Sequence, residues 1–169
     1  MTSLSQPFQL PPRHAAGIAA AAAALLLLAV FAMQYLGGLA PCELCLWQRW
    51  PHGAAILFGG LALPPAVSDS GRRVLLALCA LAFATTAGIG FYHAGVEYGL
   101  FAGPTACSGT ITGSTIEALR EQLTRAPVVR CDEVPWSLLG ISLAGYNFLV
   151  SGALAVFCAV AVLWSRIVR

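Results

Sequence analysis

The sequence has no lysine and little charge of either sign: nine arginines face seven carboxylates in 169 residues. Charged residues make up 9% of the chain, where a soluble domain carries about 25%. A soluble fold of this length needs more polar surface than that. The absence of lysine has no evident physical reason. A formal net charge of +2 leaves no electropositive footprint for nucleic acid. Disorder is excluded too, because 59% of the residues are hydrophobic and disordered chains are poor in such residues. What remains is an integral membrane protein of one small domain, embedded in a lipid bilayer.

Hydropathy places four spans, at about 15–36, 46–64, 74–93 and 143–164. About 20 residues of helix cross a hydrocarbon core of roughly 30 Å. The second span is the shortest and carries Gln48, Arg49 and His52 near its start. The first is expected to be retained rather than cleaved: its apolar run exceeds a signal-peptide core of about 7–15 residues and lacks a clear small-residue cleavage site. The expected fold class is all-α, a four-helix transmembrane bundle with two outer loops, 37–45 and 94–142. Positive charge favours the inner side. With both termini inside, Arg13, Arg72, Arg73, Arg166 and Arg169 lie there, and the remaining arginines share the outer side with all carboxylates except Asp69. In the long loop, Ser114-Thr115-Ile116-Glu117 fits a capping box with Ser114 as N-cap. A short amphipathic helix of about ten residues is expected over 114–125, on the membrane surface or against the bundle; it is too short to be stable alone. A plain helical turn is equally open.

The six cysteines divide by depth. Cys79 and Cys158 fall mid-span, where a thiol behaves as a small hydrophobe. Cys42, Cys45, Cys107 and Cys131 all fall in the outer loops, a grouping that hydropathy produces without using the cysteines. Cys42-Glu43-Leu44-Cys45 is a Cys-X-X-Cys motif. A c-type haem site needs histidine next, and Leu46 stands there. A four-cysteine zinc site needs a second tight pair, which the separation of Cys107 from Cys131 does not offer, so no metal is expected. A redox dithiol fits best. Cys107 and Cys131 could instead be a structural disulfide, whose loop of about 25 residues would contribute roughly 3–3.5 kcal/mol. A helix starting near Cys45 would put that thiolate at a positive helix end, with Arg49 one turn deeper on the same face. Arg49 then reads either as a functional cation or as an interfacial anchor beside Trp47 and Trp50. His93 and Glu97, at i and i+4, read as a polar helix end with a surface acid, or as part of a site.

The run Pro41-Cys42-Glu43-Leu44-Cys45-Leu46-Trp47-Gln48-Arg49, then Tyr92-His93, Pro104-Thr105-Ala106-Cys107, and Cys131 through Trp136-Ser137-Leu138-Leu139-Gly140 resembles the DsbB family of disulfide bond formation proteins. The resemblance covers nearly the whole chain. It implies a membrane thiol:quinone oxidoreductase of the bacterial inner membrane, whose cofactor is a quinone (ubiquinone or menaquinone) and whose partner is a DsbA-like periplasmic thioredoxin-fold protein. It also implies catalytic roles for Cys42, Cys45, Cys107 and Cys131, and quinone-binding roles for Arg49 and His93. The partner would enter at a Cys107–Cys131 disulfide, and electrons would leave through Cys45. The loop between Cys107 and Cys131 looks shorter than in well-known enterobacterial members, and Pro51-His52 departs near the expected quinone site. Two alternatives stand beside this: a specialised paralogue with a dedicated partner, and a non-enzymatic membrane scaffold with a stapled loop. A vitamin K epoxide reductase-like enzyme shares the logic, but its quinone-facing Cys-X-X-Cys comes late in the chain.

Overall fold

The structure is a computed structural model that describes residues 10–104, 115–118, 120 and 129–167. It is mostly helical, with α1 at Pro12–Tyr35, α2 at Glu43–Leu61, α3 at Asp69–Glu97 and α4 at Leu143–Ile167. Three of these, α1, α3 and α4, are long and apolar enough to cross a membrane. The chain is therefore a multi-pass membrane protein of all-α class. The shorter α2, 19 residues, is long enough but too polar to be counted with them.

Small residues decide how closely the helices approach. Ala15, Ala16, Ala19 and Ala23 form one buried stripe on α1, at the spacing that keeps residues on one helical face. That stripe meets α2 at Gly59, where a Cβ would lie 2.8 Å from both the Ala16 carbonyl oxygen and the Ala20 Cβ. Gly90 plays the same part between α3 and α4: a Cβ there would come within 3.0 Å of the Phe148 nitrogen. Close backbone approach through small residues is how helices associate without a hydrophobic drive between them. Cys79 and Cys158 are fully buried in the same apolar core as Leu76 and Phe83.

The turns are tied by specific polar groups. Ser68 caps α3 by accepting from the Gly71 N–H at 3.1 Å, and Arg72 donates back to the carbonyls of Ala62 (3.1 Å) and Pro64 (2.9 Å). Before α4 the chain forms a small antiparallel hairpin, β1 at Ser137–Leu138 and β2 at Ile141–Ser142. Its two central residues, Leu139 and Gly140, both have positive φ (51° and 78°), the pattern of a type I′ turn. Tyr98 and Tyr146 hold the hairpin by donating to the carbonyls of Gly140 and Leu138, at 2.9 and 3.1 Å. It therefore sits over the end of the bundle where α3 stops and α4 starts. In the long loop, Ile116–Ala118 and Arg120 are helical, and Thr115 is the capping residue, accepting from the Ala118 N–H at 3.3 Å. Ser114, the expected cap, and most of the expected helix lie outside the described residues.

Replacing Gly59 by valine should cost about 1–3 kcal/mol by overpacking the α1–α2 contact, lowering the thermal unfolding midpoint in detergent. Gly60→Ala, where a Cβ meets nothing within 4 Å, should leave the midpoint unchanged or raise it. Equal midpoints for the two variants would show that the α1–α2 approach does not depend on Gly59.

Candidate functional site

The first turn of α2 builds the centre of the site. Cys42 is the N-cap, with extended backbone, and its sulfur accepts from the Cys45 N–H at 3.4 Å. The two sulfurs lie 3.1 Å apart, so the dithiol shares its protons across a short contact. His93, 2% exposed on the last turns of α3, brings Nε2 to 3.5 Å from the Cys42 sulfur. The Cys45 thiol beside Cys42 holds the Cys42 thiol far below its ordinary 9.0, down to about 4, against the opposing effect of burial and with help from His93. The reading from sequence gave the favoured helix-end position to Cys45. The structure gives it to Cys42, because α2 starts at Glu43 and the Cys42 sulfur itself caps the helix by accepting from the Cys45 N–H.

The two sulfurs face different surroundings. Cys42 packs in a small buried cluster with Leu44, Val96 and Cys131. Cys131 is disulfide-bonded, whereas Cys42 and Cys45 are free. Cys107 lies outside the described residues. Beside Cys131, Arg130 forks onto the Asp132 carboxylate at 2.9 and 2.5 Å, which holds that carboxyl below its usual range. Cys45, by contrast, lines a cavity of about 190 Å³ together with Gln48, Arg49, His52, His93 and Glu97, walled by apolar side chains of α1 and α4. Arg49 donates to Gln34 Oε1 at 2.8 Å and lies over the Phe31 ring, 4.9 Å from its centroid. Its guanidinium thus joins α1 to α2 at the cavity wall. The α-helix also runs through Pro51, whose ring leaves the Trp47 carbonyl without its usual intrahelical donor.

Of the residues singled out from sequence, Cys42, Cys45, Arg49 and His93 converge here, and Cys131 joins them through Cys42. Glu97 does not behave as a surface acid. Its side chain is 1% exposed, with Oε1 3.8 Å from His93 Nε2. Its other oxygen accepts from the Ser142 hydroxyl. Sequence reasoning missed Ser142, Thr86 and Asn147 altogether. Asn147, the only asparagine in the chain, is a polar residue in the middle of an apolar run, and that is the signal that could have found it. The donor atoms of Cys42, Cys45 and His93 lie within 4.8 Å of one another. Ligation of a metal by His93 would require a bare Nε2.

The chain as a whole is similar to known proteins. The family model described as "Disulfide bond formation protein DsbB" matches residues 12–161. A disulfide bond formation protein B from Stutzerimonas stutzeri (strain A1501) is 30% identical over 94% of this chain and 96% of its own length. One from Verminephrobacter eiseniae (strain EF01-2) is 32% identical over 82% and 78% respectively. An uncharacterized protein from Rickettsia prowazekii (strain Madrid E) is 24% identical over 75% of this chain and 74% of its own length. No solved structure matches.

The depressed Cys42 thiol predicts a titration. In the reduced protein, ultraviolet thiolate absorbance should persist on acidification and fall only with a midpoint near about 4. A folded value below the unfolded one stabilises the fold at alkaline pH; the reduced protein loses that stabilisation as pH falls towards about 4. A midpoint near the ordinary thiol value of about 8.5 would refute the assignment.

Proposed function

The chain belongs to the DsbB family of disulfide bond formation proteins, and from that premise we propose that it is a membrane thiol:quinone oxidoreductase. It reoxidises a DsbA-like periplasmic thioredoxin-fold protein and passes two electrons to a membrane quinone. It does so in the bacterial inner membrane, with α2 as a fourth span, both termini cytoplasmic and the active cysteines on the periplasmic side. The observation that carries the reading is the split of the dithiol: Cys42 packs with Cys131, and Cys45 faces an apolar cavity inside the bundle.

That cavity suits a flat, lipid-soluble ring. It is larger than the roughly 150 Å³ apolar cavity that accepts benzene, and its walls are leucine, valine and methionine side chains of α1 with a polar end at Cys45, Gln48 and Arg49. Arg49, His93 and Cys45 are the residues that would hold a quinone head group. When bound, a quinone supplies an acceptor for two electrons and two protons.

The protein's own steps follow from thiol exchange. A thiolate of the reduced partner attacks the Cys107–Cys131 disulfide at Cys107, forming a mixed disulfide and releasing Cys131 as thiolate. Cys131 attacks the Cys42 sulfur of a Cys42–Cys45 disulfide; the Cys42–Cys131 bond forms and Cys45 leaves as thiolate, facing the cavity. The partner's second thiolate then attacks its own mixed-disulfide sulfur, so the partner departs oxidised and Cys107 becomes a thiolate. Cys107 attacks Cys131, restoring the Cys107–Cys131 bond and leaving Cys42 and Cys45 reduced. Arg49, held by Gln34 and Phe31, supplies positive charge at the cavity wall.

Purified protein should oxidise a reduced thioredoxin-fold dithiol protein with many turnovers when ubiquinone or menaquinone is added, and stoichiometrically at most without it. Turnover independent of quinone would overturn the reading. A partner variant that keeps only its attacking cysteine should be trapped as a mixed disulfide through Cys107, and trapping at Cys42 would reverse the entry order. Arg49→His should raise the apparent KM for quinone while leaving trapping of the single-cysteine partner at Cys107 intact; loss of both together would contradict a quinone-specific role for Arg49.

A further inference from the structure

Behind His93 lies a chain of amides, Gln48 buried and Asn147 half-buried, whose bonds span three helices. Asn147 Nδ2 sits 3.1 Å from the Thr86 carbonyl oxygen, 3.0 Å from the Thr86 hydroxyl and 2.6 Å from Gln48 Oε1. Gln48 Nε2 sits 3.1 Å from the Leu44 carbonyl oxygen and 2.9 Å from His93 Nδ1. Asn147 Oδ1 accepts from the Ser151 hydroxyl at 2.8 Å and faces His52 Nε2 at 3.0 Å. The Thr86 hydroxyl donates to the Gln48 carbonyl oxygen at 3.1 Å.

The direction of every bond in this chain is fixed by backbone carbonyls, which can only accept. The Thr86 carbonyl requires the NH₂ of Asn147 on its side, so Gln48 must turn its oxygen to Asn147 and its NH₂ to His93. The Leu44 carbonyl, at the other end of Gln48, independently requires the same orientation. His93 Nδ1 therefore accepts, and the ring proton sits on Nε2. The two groups that face Nε2, the Cys42 sulfur at 3.5 Å and Glu97 Oε1 at 3.8 Å, are ones that a donor suits. Reversing Gln48 would set its oxygen against the Leu44 oxygen and its NH₂ against that of Asn147, two mispaired contacts at a buried site.

We propose that Gln48 and Asn147 are positioning residues that fix which ring nitrogen of His93 carries the proton, and so keep His93 Nε2–H directed at the Cys42 sulfur. Neither residue touches the sulfurs in the described hydrogen bonds; each acts through His93. The inference deepens the thiol-oxidase reading above and rests on it for its purpose, but the geometry stands without any quinone. It also gives Gln48 a task separate from that of its neighbour Arg49. A further consequence concerns metals: with the proton on Nε2, His93 offers the dithiol a donor, not a ligand lone pair.

The test uses ¹⁵N-histidine-labelled, reduced, full-length protein in detergent, with the His93 signals assigned by their loss in His93→Phe. In the wild type, Nε2 should appear protonated and Nδ1 bare. Gln48→Glu removes the donor and supplies an acceptor, so Nδ1 should become protonated, in the other neutral form or in an imidazolium. Where the ring gives up the Nε2 proton, the Cys42 thiolate midpoint should rise by about one pH unit or more, the worth of a hydrogen bond to a charged group. Gln48→Met, similar in size with neither donor nor acceptor, should weaken the preference for Nε2 without reversing it, because Cys42 and Glu97 still face that nitrogen. Asn147→Leu should loosen the preference in the same way through Gln48. A wild-type ring protonated on Nδ1, or Gln48→Glu and Gln48→Met giving identical ring signals, would overturn the proposal. These spectra are read without quinone or partner protein, so their failure is separate from failure of turnover, and a variant that merely misfolds would lose the dispersed His52 and His93 signals together.

Discussion

A polar group inside an apolar bundle must find a partner, and in this protein that constraint is concentrated on Asn147. Burying an amide without hydrogen bonds costs several kcal/mol in an apolar medium, so one asparagine on α4 obliges α2 and α3 to bring matching groups to it. Thr86 from α3 and Gln48 and His52 from α2 do so. The apolar packing along the Ala stripe of α1 and the glycines of α2 and α3 tolerates a range of small rotations. The amide chain does not, because each carbonyl and NH₂ has one direction. It sets the relative register of three helices at the level of the dithiol, and the orientation of His93 follows from it.

That register explains why polar residues gather at one depth while the rest of the core is alanine, leucine and phenylalanine. A half-satisfied network would cost more than an apolar core of the same volume. Here nearly all of the buried side-chain polar atoms of the described residues are paired; His52 Nδ1 is the exception. Ser142 shows the same economy at the end of the bundle. One hydroxyl accepts from the Gly145 N–H at the start of α4, at 3.1 Å, and donates to Glu97. The cap of one helix thus holds the carboxylate of another beside His93.

Much of this was legible in the sequence. The apolar runs gave the all-α membrane class, and Cys-X-X-Cys with Arg49 gave the dithiol and the cation near it. His93 was legible by its place on a helix end. The start of α2 was not, because hydropathy registers the apolar run from Leu46, whereas the helix begins where a side chain can cap it, and Cys42 does so three residues before Cys45. The burial of Glu97 was invisible for a different reason. It depends on a hairpin turned by Leu139 and Gly140 that brings Ser142 across the end of α3, a contact between segments far apart in sequence. Asn147 and Thr86 escaped for the same cause: a lone polar residue in an apolar run signals that a partner exists without saying which.

The unequal fates of Cys42 and Cys45 follow from the cap as well. Two intervening residues would put both sulfurs on one face of a regular helix, in nearly the same environment. Because Cys42 has left the helical conformation, its sulfur turns back over the first turn, takes the Cys45 N–H and reaches His93 and the cluster around Cys131. Cys45 remains helical and is carried with Gln48 and Arg49 towards the cavity. The sulfurs stay 3.1 Å apart, close enough to exchange a bond, while their neighbours differ: a hydrogen-bond donor and a disulfide-bonded cysteine for one, an apolar chamber with a guanidinium in its wall for the other. A single residue of non-helical backbone at the start of α2 provides this asymmetry.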